Sequence, residues 1–276
     1  MSNPLAKYFR QPAIYIKLPS AGKFYPAGAI ATPPNNEYPV YPMTALDEIA
    51  YRTPDALFNG SAIVEVVKSC VPAIQDPWAM PVIDLDALLI GIRIASFGHT
   101  MEIESTCPKC GTENQYDLDL RVILDQVRAA DFDTPVVIGD LKIFCKPMSY
   151  QQLTENNRIQ FEEQRLIQSI PDSDLPDDEK LAKLREALQS LSKLTLEAVA
   201  GSIAAIHTVD AVVVEPEFIH EYISKADRQV YHAIRNRVTE IRQASETQPL
   251  HITCTNPECQ HEYDTPFTLD VANFFE

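Results

Sequence analysis

The chain has 276 residues, 45% apolar and 22% charged, which suits one large domain or two ordinary ones with a genuine core. Its 23 basic residues against 39 acidic ones leave a net charge of −16, a balance that disfavours binding to nucleic-acid phosphates. The eight glycines are never two, four or five residues apart, which removes G-x-G-x-x-G, G-x-S-x-G and P-loop sites, and no motif names a chemical reaction.

Residues 1–43 hold 8 of the 21 prolines and seven aromatics, and read as an extended arm. Within it Ile14, Tyr15 and Ile16 alternate as an edge strand does. Two readings stay open: the arm packs back on its own domain, or it offers a strand to a neighbouring subunit with Ile14, Tyr15, Ile16, Phe24 and Tyr25 as partner-binding residues. The second predicts that the remainder folds without residues 1–25.

A small helical domain is expected over 44–100. Thr44 caps a first short helix with Asp47 in the reciprocal position, and Thr53-Pro54 opens a second that Asn59-Gly60 closes. Residues 61–70 form a third, with Ile63, Val66, Val67 and Cys70 on one face, and Cys70 reads as plain core. A stronger helix over 84–97 carries Leu85, Leu88, Leu89 and Ile92 as its core stripe, with Gly98 as its stop. Residues 125–248 follow as a hairpin plus a helical insertion. The hairpin is Val136 to Ile138, a Gly139-Asp140 turn, and Leu141 to Cys145, with Cys145 buried. Helices are expected over 149–169, 177–192, 194–205, 217–224 and 225–245, interrupted by a strand at 212–214.

The N-terminus has no continuous apolar run and so is unlike a signal peptide, and the longest apolar stretch is broken by Asp84, Asp86 and Arg93. A reducing compartment follows, in which paired cysteines point to metal more than to disulfides. Cys107 and Cys110 form one pair, Cys254 and Cys259 the other, with spacers of two and four residues. The flanks repeat: Thr106-Cys107 follows one alternating strand and Thr253-Cys254 another, and Tyr116-Asp117 and Tyr263-Asp264 come after the knuckles. Two such hairpins closing on one ion make a zinc ribbon, with 101–124 and 249–276 as its halves and the insertion between them. The alternatives are reduced surface thiols, separate disulfides, or His251 or His261 in place of one thiolate. Four thiolates leave no open coordination position, so the expected zinc, one per chain, is structural and not catalytic. Residues 101–120 and 249–276 carry ten acids and one basic residue, Lys109, a poor surface for nucleic acid. The fold class expected is α+β, a mainly helical core with short strands and a zinc ribbon assembled from two separated cysteine hairpins.

The succession Ile16-Lys17-Leu18-Pro19-Ser20-Ala21-Gly22-Lys23-Phe24-Tyr25-Pro26, then Tyr41-Pro42-Met43-Thr44-Ala45-Leu46-Asp47-Glu48, then Asn59 to Ile63, then Ala87 to Gly98 leading into Thr106-Cys107-Pro108-Lys109-Cys110-Gly111, resembles the baseplate proteins of T-even-type contractile-tailed bacteriophages, the hub or hub-assembly subunits. The resemblance covers about residues 12–120. It implies a virion or assembly protein without enzymatic activity, built in the host cytoplasm, with other baseplate and tail proteins as partners and no nucleic acid, membrane or small-molecule substrate. An assembly chaperone absent from the finished particle is the alternative it leaves. A zinc-ribbon regulator that binds nucleic acid is the alternative from another class, and the acidic ribbon argues against it.

Overall fold

A computed structural model describes all residues except 1–3, 6–7, 52–59, 172–174, 246 and 268–276. The helix expected between Thr53 and Asn59 therefore lies outside the described residues. The chain divides into two compact units, one made of 1–77, 83–129 and 245–276, the other of 78–82 and 130–244. The first unit thus draws on both ends of the chain, and most of the second is inserted between them.

In the first unit, β1 (Ile14–Ile16) pairs antiparallel with β2 (Tyr38–Val40), with Ile16 opposite Tyr38. The helices are α1 (Ala45–Tyr51), α2 (Ser61–Cys70), α3 (Leu85–Phe97) and α4 (Leu120–Gln126). Ile16, Tyr38 and Val40 are buried with Val66, Val67, Cys70, Leu88, Leu89 and Ile92. The strand pair lies directly on α3 where that helix carries Gly91: a Cβ there would stand 3.0 Å from Ile16 Cγ2 and 3.6 Å from Val40 Cγ2. Ile16 is thus committed to the chain's own core, a burial worth ~1.5–3 kcal/mol for a side chain of this size. Phe24 and Tyr25 are half-buried, and Tyr15 is 61% exposed.

The Leu18-to-Tyr25 segment is a loop closed on Asp84. The Asp84 carboxylate is completely buried and accepts hydrogen bonds from Ser20 N (2.8 Å), Ser20 Oγ (2.6 Å) and Tyr25 Oη (2.9 Å). Gly22 turns the loop at φ +76°, and a Cβ on it would stand 2.8 Å from the Tyr38 hydroxyl, so glycine is required twice over. Thr44 and Asp47 make the expected reciprocal cap on α1, Asp47 N to Thr44 Oγ1 (3.3 Å) and Thr44 N to Asp47 Oδ2 (2.7 Å). Asp47 also receives Ser69 Oγ at 2.9 Å and lies 3.5 Å from Arg10 Nη1, and Arg10 Nη2 donates to Ser69 O at 2.7 Å, so Arg10 anchors the chain ahead of β1 to both α1 and α2.

The rest of the first unit is two hairpins. β3 (Thr100–Thr106) pairs with β4 (Glu113–Asp119), and β9 (Leu250–Thr253) with β10 (Glu262–Thr265), both antiparallel. The short helix α4 was not expected. Asp119 caps it by accepting from Arg121 N, and Leu120 and Ile123 are fully buried.

The second unit is a four-stranded antiparallel sheet in the order β5 (Val136–Ile138), β6 (Leu141–Cys145), β7 (Ile203–His207), β8 (Val212–Val213), with α5 (Tyr150–Ser169), α6 (Asp177–Gly201), α7 (Pro216–Lys225) and α8 (Arg228–Ser245). Its core gathers Ile143, Val199, Ile203, Ile206, Ile219, Ile223 and Ile234. Two expectations are corrected here. The helices expected at 177–192 and 194–205 are one continuous helix to Gly201, because Ser192 and Thr195 turn their hydroxyls onto the Leu188 and Leu191 carbonyls and leave the ladder unbroken. Residues 203–207 are then a strand, central in the sheet. Ile203 and Ile206, three apart, imitate a helical stripe, but both are buried across a β-bulge at Phe144/Cys145. Cys145 is buried as expected, which pushes its thiol up to about 11.

Candidate metal centre

Each cysteine pair sits in a tight knuckle at the tip of one hairpin, and the two knuckles are built alike. In the first, Gly111 N donates to Cys107 O and Cys107 N to Thr112 O, both at 2.9 Å. In the second, Gln260 N donates to Asn256 O (3.1 Å) and Cys254 N to His261 O (2.9 Å). Thr112 and His261 each stand two residues past the second cysteine of their pair, and the residue between is left-handed in both knuckles, Gly111 at φ +73° and Gln260 at φ +42°. The strand registers match too: Thr106 faces Glu113, and Thr253 faces Glu262. The first knuckle meets the left-handed requirement with glycine and the second bears it with a side chain.

The structure brings all four candidate ligands together. The Sγ atoms of Cys107, Cys110, Cys254 and Cys259 lie within 4.8 Å of one another, with Cys107–Cys259 at 4.0 Å and Cys110–Cys254 at 3.6 Å, each of these two pairs joining one knuckle to the other. Thiolates ~2.3 Å from a tetrahedral ion have sulfur–sulfur edges of ~3.8 Å, so the separations fit a single zinc. Neither His251 nor His261 belongs to this cluster. His251 Nδ1 instead lies 2.9 Å from Asp264 Oδ1 on the neighbouring strand, which raises its pKa.

Cys107 and Cys254 are buried, Cys259 is half-buried and Cys110 is exposed. A hydrogen bond with the Thr112 side chain, Oγ1 at 3.2 Å, favours the Cys110 thiolate and brings its pKa down to about 6. Burial pushes the Cys254 thiol the other way, to about 11. Four thiols within 4.8 Å cannot all ionise against one another without a cation, and a dication would supply the compensating charge. That donor set and spacing fit zinc, which all four sulfurs would hold with no position left for water.

Around the sulfurs, a set of polar groups missed by sequence reasoning joins the hairpins. Asn114 is 1% exposed. Its Oδ1 accepts from Thr255 N (2.8 Å) and Thr255 Oγ1 (2.7 Å) in the opposite knuckle, and its Nδ2 donates to Thr112 O (2.9 Å), Ser105 O (3.3 Å) and Tyr263 Oη (3.3 Å). Tyr116 Oη donates to Thr253 O (2.8 Å), and Asn256 Nδ2 to Thr112 Oγ1 (3.4 Å). The Tyr116/Tyr263 likeness in sequence is out of step with the registers, in which the counterpart of Tyr263 is Asn114: each stands opposite the residue two before its knuckle's first cysteine, Ile252 and Ser105.

The family described as T4 bacteriophage base plate protein matches residues 33–276, a span that includes both knuckles and the insertion. The chain belongs to that baseplate family. No curated protein and no solved structure matches it. Membership gives the chain a structural role in a T4-type phage baseplate, which is a part of the virion tail with other tail proteins as its neighbours. The match begins after the Leu18-to-Tyr25 loop, so that segment of the resemblance stands on its own residues. No described helix is long and apolar enough to cross a membrane.

Proposed function

We propose that this baseplate protein is a structural subunit whose first unit is closed by one structural zinc and which docks on neighbouring tail proteins. The observation that carries the zinc is the cluster of four sulfurs within 4.8 Å of one another, with separations of 3.6 and 4.0 Å across knuckles 144 residues apart at Cys110 and Cys254. A metal at that place ties the C-terminal residues to the body that begins the chain, so the inserted unit leaves and returns through a fixed base. Such a site does no chemistry, in keeping with a structural family.

Docking through the N-terminal segment narrows to the residues with surface to give. Ile16 serves the core and Tyr25 donates to Asp84; Tyr15 is the one of the five that is exposed, while Ile14 and Phe24 are half-buried. An aromatic side chain on a short, pre-formed strand pair is an anchor that loses little entropy on binding.

The test is mass spectrometry of purified phage particles together with metal analysis of the isolated protein. The chain at a defined copy number in the particle, with one zinc per molecule, is the expected result. Its presence only in infected-cell lysate would replace the subunit reading with that of an assembly chaperone or hub-assembly factor.

A further inference from the structure

We propose that Asn114 is the positioning residue of the metal centre: its buried amide pre-assembles the two knuckles and so sets how tightly zinc is held. The proposal rests on the zinc reading above and adds what holds the sulfurs in place.

Asn114 belongs to β4, two residues beyond Thr112 and four beyond Cys110. Its side chain crosses to the residue next to Cys254, where it takes both the N–H and the hydroxyl of Thr255. On its own side it holds the carbonyls of Ser105 and Thr112, which flank the first knuckle. Two carbonyl acceptors at one end and a backbone N–H at the other fix which end of the amide is nitrogen. One side chain therefore joins the first knuckle to the second through groups one or two residues from Cys107, Cys110 and Cys254. With 1% exposure, these bonds have little competition from water.

The latch is made once, although the ribbon is built twice. The residue after the first cysteine is Thr255 in one knuckle and Pro108 in the other. Proline has neither N–H nor hydroxyl to donate, so a reciprocal amide at position 263 would have nothing equivalent to accept. That position holds Tyr263 instead, whose hydroxyl accepts from Asn114 Nδ2. The asymmetry leaves the pair of Asn114–Thr255 bonds without a counterpart, beside the single bonds from Tyr116 Oη to Thr253 O and from Asn256 Nδ2 to Thr112 Oγ1. Groups that orient metal ligands typically change affinity by 10–100-fold when removed.

The experiment is cobalt titration of the full chain, read by the thiolate-to-metal charge-transfer band, followed by competition with zinc. Wild type, Asn114→Ala and Tyr116→Phe are compared, the last losing a hydrogen bond between the hairpins that does not involve Asn114. Asn114→Ala is expected to bind ~10–100-fold more weakly and Tyr116→Phe within ~3-fold of wild type. If Asn114→Ala does not fold, Thr255→Ala, which removes one of the two bonds to Oδ1, should still weaken binding by ~3–10-fold. Unchanged affinity in Asn114→Ala or, in its place, Thr255→Ala, even with a lower melting temperature, would reduce the residue to a structural one and overturn the proposal. An equal loss in Tyr116→Phe would overturn it too, by showing that any bond between the hairpins suffices. A wild-type protein that takes up neither metal would sink the zinc reading itself, and the latch with it.

Discussion

Asp84 offers a stability test that can be worked through from the structure. Its carboxylate is fully buried under the Leu18-to-Tyr25 loop and accepts three hydrogen bonds, yet burial outweighs them and raises its pKa to about 6. In the unfolded chain the value is about 3.9. The folded protein therefore holds this proton more tightly, so the group's contribution to stability rises as pH falls through that window and is complete below about pH 4. With those two values the gain between pH 7 and pH 5 is about 1.3 kcal/mol. Asp84→Asn cannot titrate. The unfolding free energy of wild type minus that of Asp84→Asn, measured by urea denaturation, should grow by about 1–1.5 kcal/mol from pH 7 to pH 5. Taking the difference cancels the thiols and the other carboxylates, which both proteins share. A difference that stays flat or shrinks on acidification would mean that the three donors outweigh burial, and would refute the reasoning. Asp84→Ala orphans those donors and should cost about 3–5 kcal/mol at pH 7.

Four further outcomes are expected. Cys254→Ser should release the metal and lower the melting temperature of the first unit, as seen by metal analysis and calorimetry, whereas an unchanged transition would make the four cysteines incidental. Gly22→Ala forces a side chain into left-handed backbone against the Tyr38 hydroxyl, and should cost about 2 kcal/mol in denaturant melts; a neutral result would mean that the loop is freer than its packing implies. Tyr15→Ala should leave the melting temperature within a degree or two and weaken incorporation into particles, while deletion of residues 1–25 should unfold the first unit, because it removes Ile16, Ser20 and Tyr25. A stable, metal-loaded deletion variant would return the segment to the status of a free arm.

The clustering of the four cysteines was readable because cysteine is scarce and thiolate chemistry demands a fixed set: two knuckles with matching flanks point to one shared place however far apart they lie. The Thr44/Asp47 cap and the Gly139-Asp140 hairpin were readable for a related reason, since each is a local rule written within a few residues. What stayed hidden depends on distant partners. Asn114 and Thr255 are 141 residues apart, and nothing near either position marks it as half of a latch. Asp84 reads as the opening of a helix, but its carboxylate turns to a loop 64 residues earlier. The arm's prolines break regular structure without saying whether the alternating residues between them meet the chain's own core, and Ile16 against Gly91 decides that in three dimensions. Ile203 and Ile206 fit a helical stripe and a bulged strand equally well until Cys145 is found opposite Ile203.

The central claim is that four thiolates from two hairpins, 144 residues apart at Cys110 and Cys254, close on one ion. Native mass spectrometry of the purified full-length protein, before and after chelation, tests it most directly. The expected result is a mass increment of one zinc per chain that chelation removes and that the Cys107→Ser and Cys254→Ser variants each lack. A metal-free wild-type protein with all four thiols reduced, or zinc retained in both variants, would contradict the claim.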